Sequence, residues 1–169
     1  LAAFDSSDWT FYDKQDLHPG RRRRKLIGWR SAGKDLWPGL VRAQLGMRVN
    51  EFADDVAAAL AWLCDANSRL TNTSWDLWDL RETQNGAIYL VPLEEGPWRM
   101  KRSDRHFDET LTRDGAGVCA SMLAISWIGH ERTCDLPFCP DERIPKILKR
   151  LMRFREMHPE GAEIDRVLD

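Results

Sequence analysis

The sequence predicts an α+β fold: a small antiparallel sheet of three or more strands packed with about four helices in one domain. Three observations predict it. Asn85-Gly86 stands between two runs rich in aromatic and β-branched residues, the arrangement of a hairpin. Several other stretches repeat apolar residues every three or four positions, the period of an amphipathic helix. The 169 residues, 43% of them hydrophobic, supply enough apolar surface for one core.

Residues 1–35 differ from the rest. The aromatics Trp9, Phe11 and Tyr12 precede His18-Pro19-Gly20 and then the basic run Arg21, Arg22, Arg23, Arg24 and Lys25. This segment is expected to be an arm, with Leu26, Ile27 and Trp29 able to dock on a domain formed by residues 36–169. Pro38, Gly39 and Gly46 punctuate a short helix or turn. A helix is expected from an Asn50 cap to about Ser68, because Phe52, Val56, Leu60 and Leu63 form one stripe and Glu51, Asp54 and Asp55 suit its positive end. Residues 74–81 read as a strand, residues 87–91 as its partner, and Pro92 as the stop. Residues 97–102, with Trp98 and Met100 alternating against Arg99 and Lys101, read as a third strand on the same apolar face. Thr112 is expected to cap a central helix to about Glu131, apolar nearly all round and rich in small residues. Ile144, Ile147, Leu148, Leu151 and Phe154 then mark the core stripe of a last long helix that carries Lys and Arg on its wet side. His158-Pro159 ends it, and residues 162–168 form a closing turn of helix.

Charge and composition exclude several classes. The formal net charge of -2, from 25 basic and 27 acidic side chains, is too balanced for an acidic mimic of DNA and gives no overall field toward nucleic acid or membrane. No apolar run is long enough to span a bilayer, so the expected location is the cytoplasm. Cys64, Cys119, Cys134 and Cys139 are scattered and imply no disulfide framework. His130, Cys134 and Cys139 are of metal-ligating type, but no second ligand pair stands at zinc spacing, and the reading is a reduced, partly buried loop.

No motif for nucleophilic catalysis, phosphate cradling or metal hydrolysis is present, so no catalytic residue, metal or cofactor is assigned. Asp76 and Asp79 are three apart and point to opposite faces of an ideal strand. His158 reads as a helix terminator at the negative end of the dipole, and His18 and His106 as surface groups. The candidate binding residues are Arg21, Arg22, Arg23, Arg24 and Lys25, whose charge would attract phosphates or an acidic partner, with Trp75 and Trp78 as an exposed apolar patch.

Three short patterns in order carry information beyond class. Trp75-Asp76-Leu77-Trp78-Asp79-Leu80 followed by residues 85–92 is the first, and Leu111-Thr112-Arg113-Asp114-Gly115-Ala116-Gly117 the second. The third is the ending from Phe154 through His158-Pro159-Glu160 to Ile164-Asp165 and Leu168-Asp169. Together, over roughly residues 36–169, they resemble the ArdB/KlcA family of antirestriction proteins. Ala87-Ile88 depart from the family's usual Gly-Phe, and the arginine run has no family counterpart. The resemblance implies a mobile-element protein, acting in a bacterial host, that inhibits a type I restriction enzyme by binding rather than by catalysis or DNA mimicry. The alternatives are a nucleic-acid-binding regulator that uses the arginine run, or an inhibitor of another defence nuclease such as a CRISPR effector.

Overall fold

The structure is a computed structural model and describes residues 8–64, 75–135 and 142–169. In chain order its elements are β1 (Trp29–Ser31), α1 (Trp37–Leu45), α2 (Val49–Leu63), β2 (Trp78–Thr83), β3 (Ile88–Pro92), β4 (Trp98–Lys101), β5 (Asp108–Leu111), α3 (Arg113–Asp135), α4 (Arg143–Glu156) and α5 (Gly161–Leu168). The α+β class expected from the sequence is what the chain forms, with helices packed around two small antiparallel sheets.

The hairpin forms where Asn85-Gly86 places it. Gly86 takes φ +90°, a conformation that disfavours any residue with a Cβ, and its N–H donates to Thr83 O at 2.9 Å. The loop is tighter than expected, because β2 continues through Glu82 and Thr83, and Thr83 N–H donates to Ala87 O at 2.9 Å. Residues 75–77 form a 3-10 turn, so β2 begins at Trp78 rather than at residue 74. Pro92 ends β3 as expected.

The third strand of this sheet is not residues 97–102. It is β1, which pairs with β2 through Trp29↔Thr83 and Ser31↔Arg81, giving the order β1-β2-β3. Strand β4 does alternate Trp98 and Met100 inward, but its partner is β5, in a separate two-stranded sheet. Alternation reports which face a strand buries and carries no information about its neighbour, so the local pattern was right and the pairing was not.

Helix α3 lies along the free edge of β3. Ser121 Oγ accepts from Leu90 N–H at 2.9 Å and donates to Leu90 O at 3.3 Å, so the helix satisfies the edge groups that a second strand would otherwise take. The approach needs Gly117, where a Cβ would lie 2.5 Å from Leu90 O. Helix α2 and helices α4 and α5 pack on the other sides of α3, so it is the central helix that its apolar circumference predicts. Helix α2 starts at Val49 rather than after an Asn50 cap, and it ends at Leu63; the expected extension to Ser68 lies outside the described residues. Among the described residues no helix is long and apolar enough to cross a membrane.

Candidate functional site

Strands β2 and β3, the α4–α5 connection and the N-terminal segment bring unlike polar side chains to one carboxylate at the start of α3. Arg81 and Tyr89 are directly opposed across the β2–β3 pair and therefore share a face of the sheet. Asp114 is the second residue of α3, where the positive helix end favours a carboxylate. His158 lies in the connection from α4 to α5. Tyr12 is carried in by the N-terminal segment, which Thr10 and Trp29 tie to the sheet in an isolated bridge.

Both oxygens of Asp114 are fully occupied. Oδ1 accepts from Arg81 Nη1 at 2.7 Å and from the Tyr89 hydroxyl at 3.0 Å. Oδ2 accepts from His158 Nε2 at 2.8 Å and from the Tyr12 hydroxyl. Arg81 is itself shared, since its Nε donates to Asp79 Oδ2 at 3.0 Å and its guanidinium lies 3.8 Å over the Trp29 ring. Ser31 Oγ donates to the same Asp79 oxygen at 2.8 Å. The Tyr12 ring packs 4.8 Å from the His158 ring, and Phe154 contacts Tyr89 at 5.4 Å.

The tautomer of His158 follows from its neighbours. Nδ1 accepts the Glu160 backbone N–H at 2.9 Å, so the ring proton must sit on Nε2, where Asp114 receives it. Glu160 then reaches the start of α3: its Oε2 accepts Thr112 N–H at 2.9 Å and its other oxygen takes the Thr112 hydroxyl. The terminator reading of His158 was therefore incomplete. The residue is 5% exposed and is a structural ligand of Asp114.

Burial alone would raise the pKa of Asp114, but the hydrogen bonds from His158 and the Tyr12 hydroxyl and the charge of Arg81 together hold it low, at about 2. Burial pushes the Tyr12 and Tyr89 hydroxyls well above the ordinary tyrosine value, and the nearby Asp114 charge adds to it. Burial opposes the charge on Arg81, while Tyr89, Asp114 and Asp79 outweigh it and raise the pKa. A fixed anion with every lone pair engaged has no basic lone pair to offer a substrate. The arrangement works as a clasp that joins the N-terminal segment, the sheet, α3 and the α4–α5 connection.

The residues expected to bind a partner are elsewhere. Arg21 and Arg24 pair with Glu156 at 3.4 Å and 2.5 Å, and Arg22 donates to Leu17 O and Gln15 O. Arg23 and Lys25 are exposed. Trp78 is 1% exposed, which corrects its place in a surface patch: it alternates inward with Leu80, and its ring belongs to the core. Trp75 lies in the 3-10 turn. Asp76 pairs with Lys34 and Asp79 with Arg81, so the two carboxylates have separate partners. His106 and His130 are exposed and do not enter the clasp, while the side chain of Cys134 and all of Cys139 lie outside the described residues.

The clasp residues Asp114, Arg81, Tyr89 and Tyr12 were not singled out from the sequence. The available signal was positional. Tyr89, Asp114 and His158 each come from one of the three patterns that carry the family resemblance, so these short patterns meet in space.

A family model described as antirestriction protein matches residues 71–169, which contains all three patterns. The chain belongs to the antirestriction protein family. The solved structure of the KlcA and ArdB proteins is similar to it at a TM-score of 0.68 and 20% identity, covering 87% of this chain and 98% of that one. The ArdB/KlcA-like fold read from the sequence is thus the fold of this family member. No curated protein matches the chain. Tyr12 lies before the residues that the family model matches, so one clasp donor comes from outside them.

Proposed function

We propose that this protein relieves restriction by a host type I restriction system, acting in the cytoplasm by binding rather than by catalysis. Membership of the antirestriction family over residues 71–169 carries the reading. The similar KlcA and ArdB proteins are described as having antirestriction activity against type I DNA restriction systems in vivo but not in vitro, which supports the same target class here. Action by binding is supported by the clasp, because its Asp114 and His158 are committed to internal hydrogen bonds at both oxygens and both ring nitrogens. The Arg21 to Lys25 turn and Trp75 form part of the binding surface in this proposal.

The deciding experiment is made in cells. Unmodified phage is plated on strains carrying different type I systems, with and without expression of the protein. Plating should rise toward that on a non-restricting strain. Plating unchanged across the panel sinks the proposal, and equal protection after loss of the Arg21 to Lys25 charges removes that turn from the surface.

A further inference from the structure

Helix α4 carries six cations, Arg143, Lys146, Lys149, Arg150, Arg153 and Arg155, against one carboxylate, Glu156. Lys146, Lys149, Arg150 and Arg153 are exposed, and at 100° per residue they fall within about 100° of arc, one or two charges per turn. Glu156 continues the same side of the helix, at the C-terminal end of the row. There it receives Arg21 and Arg24, so the N-terminal basic turn is docked at the end of the helical row. The negative end of the α4 dipole favours cations at that place. Two basic stretches, separate in sequence by more than a hundred residues, thereby join into one strip.

Most of the strip is uncommitted. Among the described residues, Arg23, Lys25, Lys146, Lys149 and Arg153 have no ion pair or side-chain hydrogen bond. Net charge hides this feature, because acidic side chains elsewhere bring the whole chain to -2.

We propose that this strip, formed by α4 and the basic turn clasped to it, binds the phosphate backbone of duplex DNA without sequence preference. Along α4, the longer part of the strip, a protein partner is disfavoured by composition. Interfaces between proteins centre on buried apolar or aromatic anchors with charge at the rim. Here the exposed large hydrophobics among the described residues are Phe11, Leu36, Leu93 and Met152, one to each of four segments, and only Met152 lies on α4. A row of cations without an apolar centre suits a polyanion whose charge repeats along a line. Glu156 has a double role: it fixes the turn against the helix and also reduces the local field. The proposal goes beyond the restriction reading and does not depend on it, since one is measured with purified protein and the other in cells.

The test is fluorescence anisotropy with the purified full chain and a labelled duplex of about 20 base pairs, titrated in salt from about 50 to 200 mM. Five free cations predict a slope of log affinity against log salt of about -4 to -5, equal for unrelated sequences. The triple variant Lys146→Ala, Lys149→Ala, Arg153→Ala should reduce the slope by about three, with an unchanged melting temperature because all three side chains are exposed. Glu156→Gln should tighten binding. A double variant Arg23→Ala, Lys25→Ala, on the other segment, reads the same surface independently of α4. No binding at the lowest salt, or a wild-type slope in both variants, overturns the proposal. Tighter binding of poly-L-glutamate than of the duplex at equal charge and salt also overturns it, in favour of an acidic polypeptide.

Discussion

Asp114 is stable as an anion in a largely buried place because four donors converge on it, and the consequences of removing its charge can be stated. In Asp114→Asn the shape is kept, but Arg81 remains buried with only Asp79 to compensate it. Leaving a buried charge without its partner costs about 3–5 kcal/mol, so the unfolding midpoint in urea should fall sharply with little change in slope. A loss below about 1 kcal/mol would mean that Asp79 and the Trp29 face suffice for Arg81. The pH dependence has a definite sign. The folded pKa of about 2 lies below the ordinary 3.8, so the unfolded chain binds the proton first as pH falls. The contribution is present above pH 4 and is lost as pH falls through about 2, an amount on the order of 2 kcal/mol. Acid titration of stability in the wild type and in Asp114→Asn should therefore differ in that window and run parallel above it. None of this was legible residue by residue. A lone aspartate after Thr112 and a histidine before a proline each have an ordinary local reading, and only their distance in space, 2.8 Å between His158 Nε2 and Asp114 Oδ2, gives them a joint one.

At the scale of elements, the most demanding contact is between α3 and the edge of β3. Gly117→Ala would place a methyl group 2.5 Å from Leu90 O and 2.8 Å from the Val91 Cα, and both obstacles are backbone. The helix would have to lift away, stretching the Ser121 bonds to Leu90. A methyl group added at an exposed helical glycine would stabilise, by about 1 kcal/mol. Here the opposite sign is expected, a destabilisation of about 1–3 kcal/mol by overpacking, with faster amide exchange at Leu90. Exchange at Leu90 unchanged from wild type would show that the helix and edge are not coupled. The elements themselves were mostly legible, since the stripe in α2, the all-round apolar character of α3 and the stripe in α4 each encode one buried face. The partners of the strands were not. Strand β1 is three residues long and follows an arginine run that dominates the local composition, and β5, Asp108-Glu109-Thr110-Leu111, buries only Leu111. A strand without alternation leaves no period to read.

For the whole molecule, the open matter is where the folded unit begins. The sequence suggests an arm over residues 1–35, and we keep the division at residue 36 as a proposal to be tested by truncation. The structure offers two different thresholds. A chain beginning at residue 26 keeps β1 and the Trp29 face over Arg81, but loses Tyr12 from Asp114. A chain beginning at residue 36 also loses β1, so the edge of β2 is opened and Arg81 is exposed on one side. Losing one donor of four to a buried carboxylate costs about 1–3 kcal/mol, equivalent to a fall in melting temperature of several degrees for a chain of this size. The shorter chain should fall further and bind a hydrophobic dye, because an open β2 edge and an uncovered sheet face are exposed together. Two melting curves decide between the thresholds. If both truncated chains melt where the full chain does, residues 1–35 are an appendage and the clasp stands without Tyr12. If the chain from residue 26 melts slightly lower and the chain from residue 36 loses its cooperative transition, the unit begins at β1, and the segment that carries Tyr12 and the basic turn adds stability to a fold that forms without it.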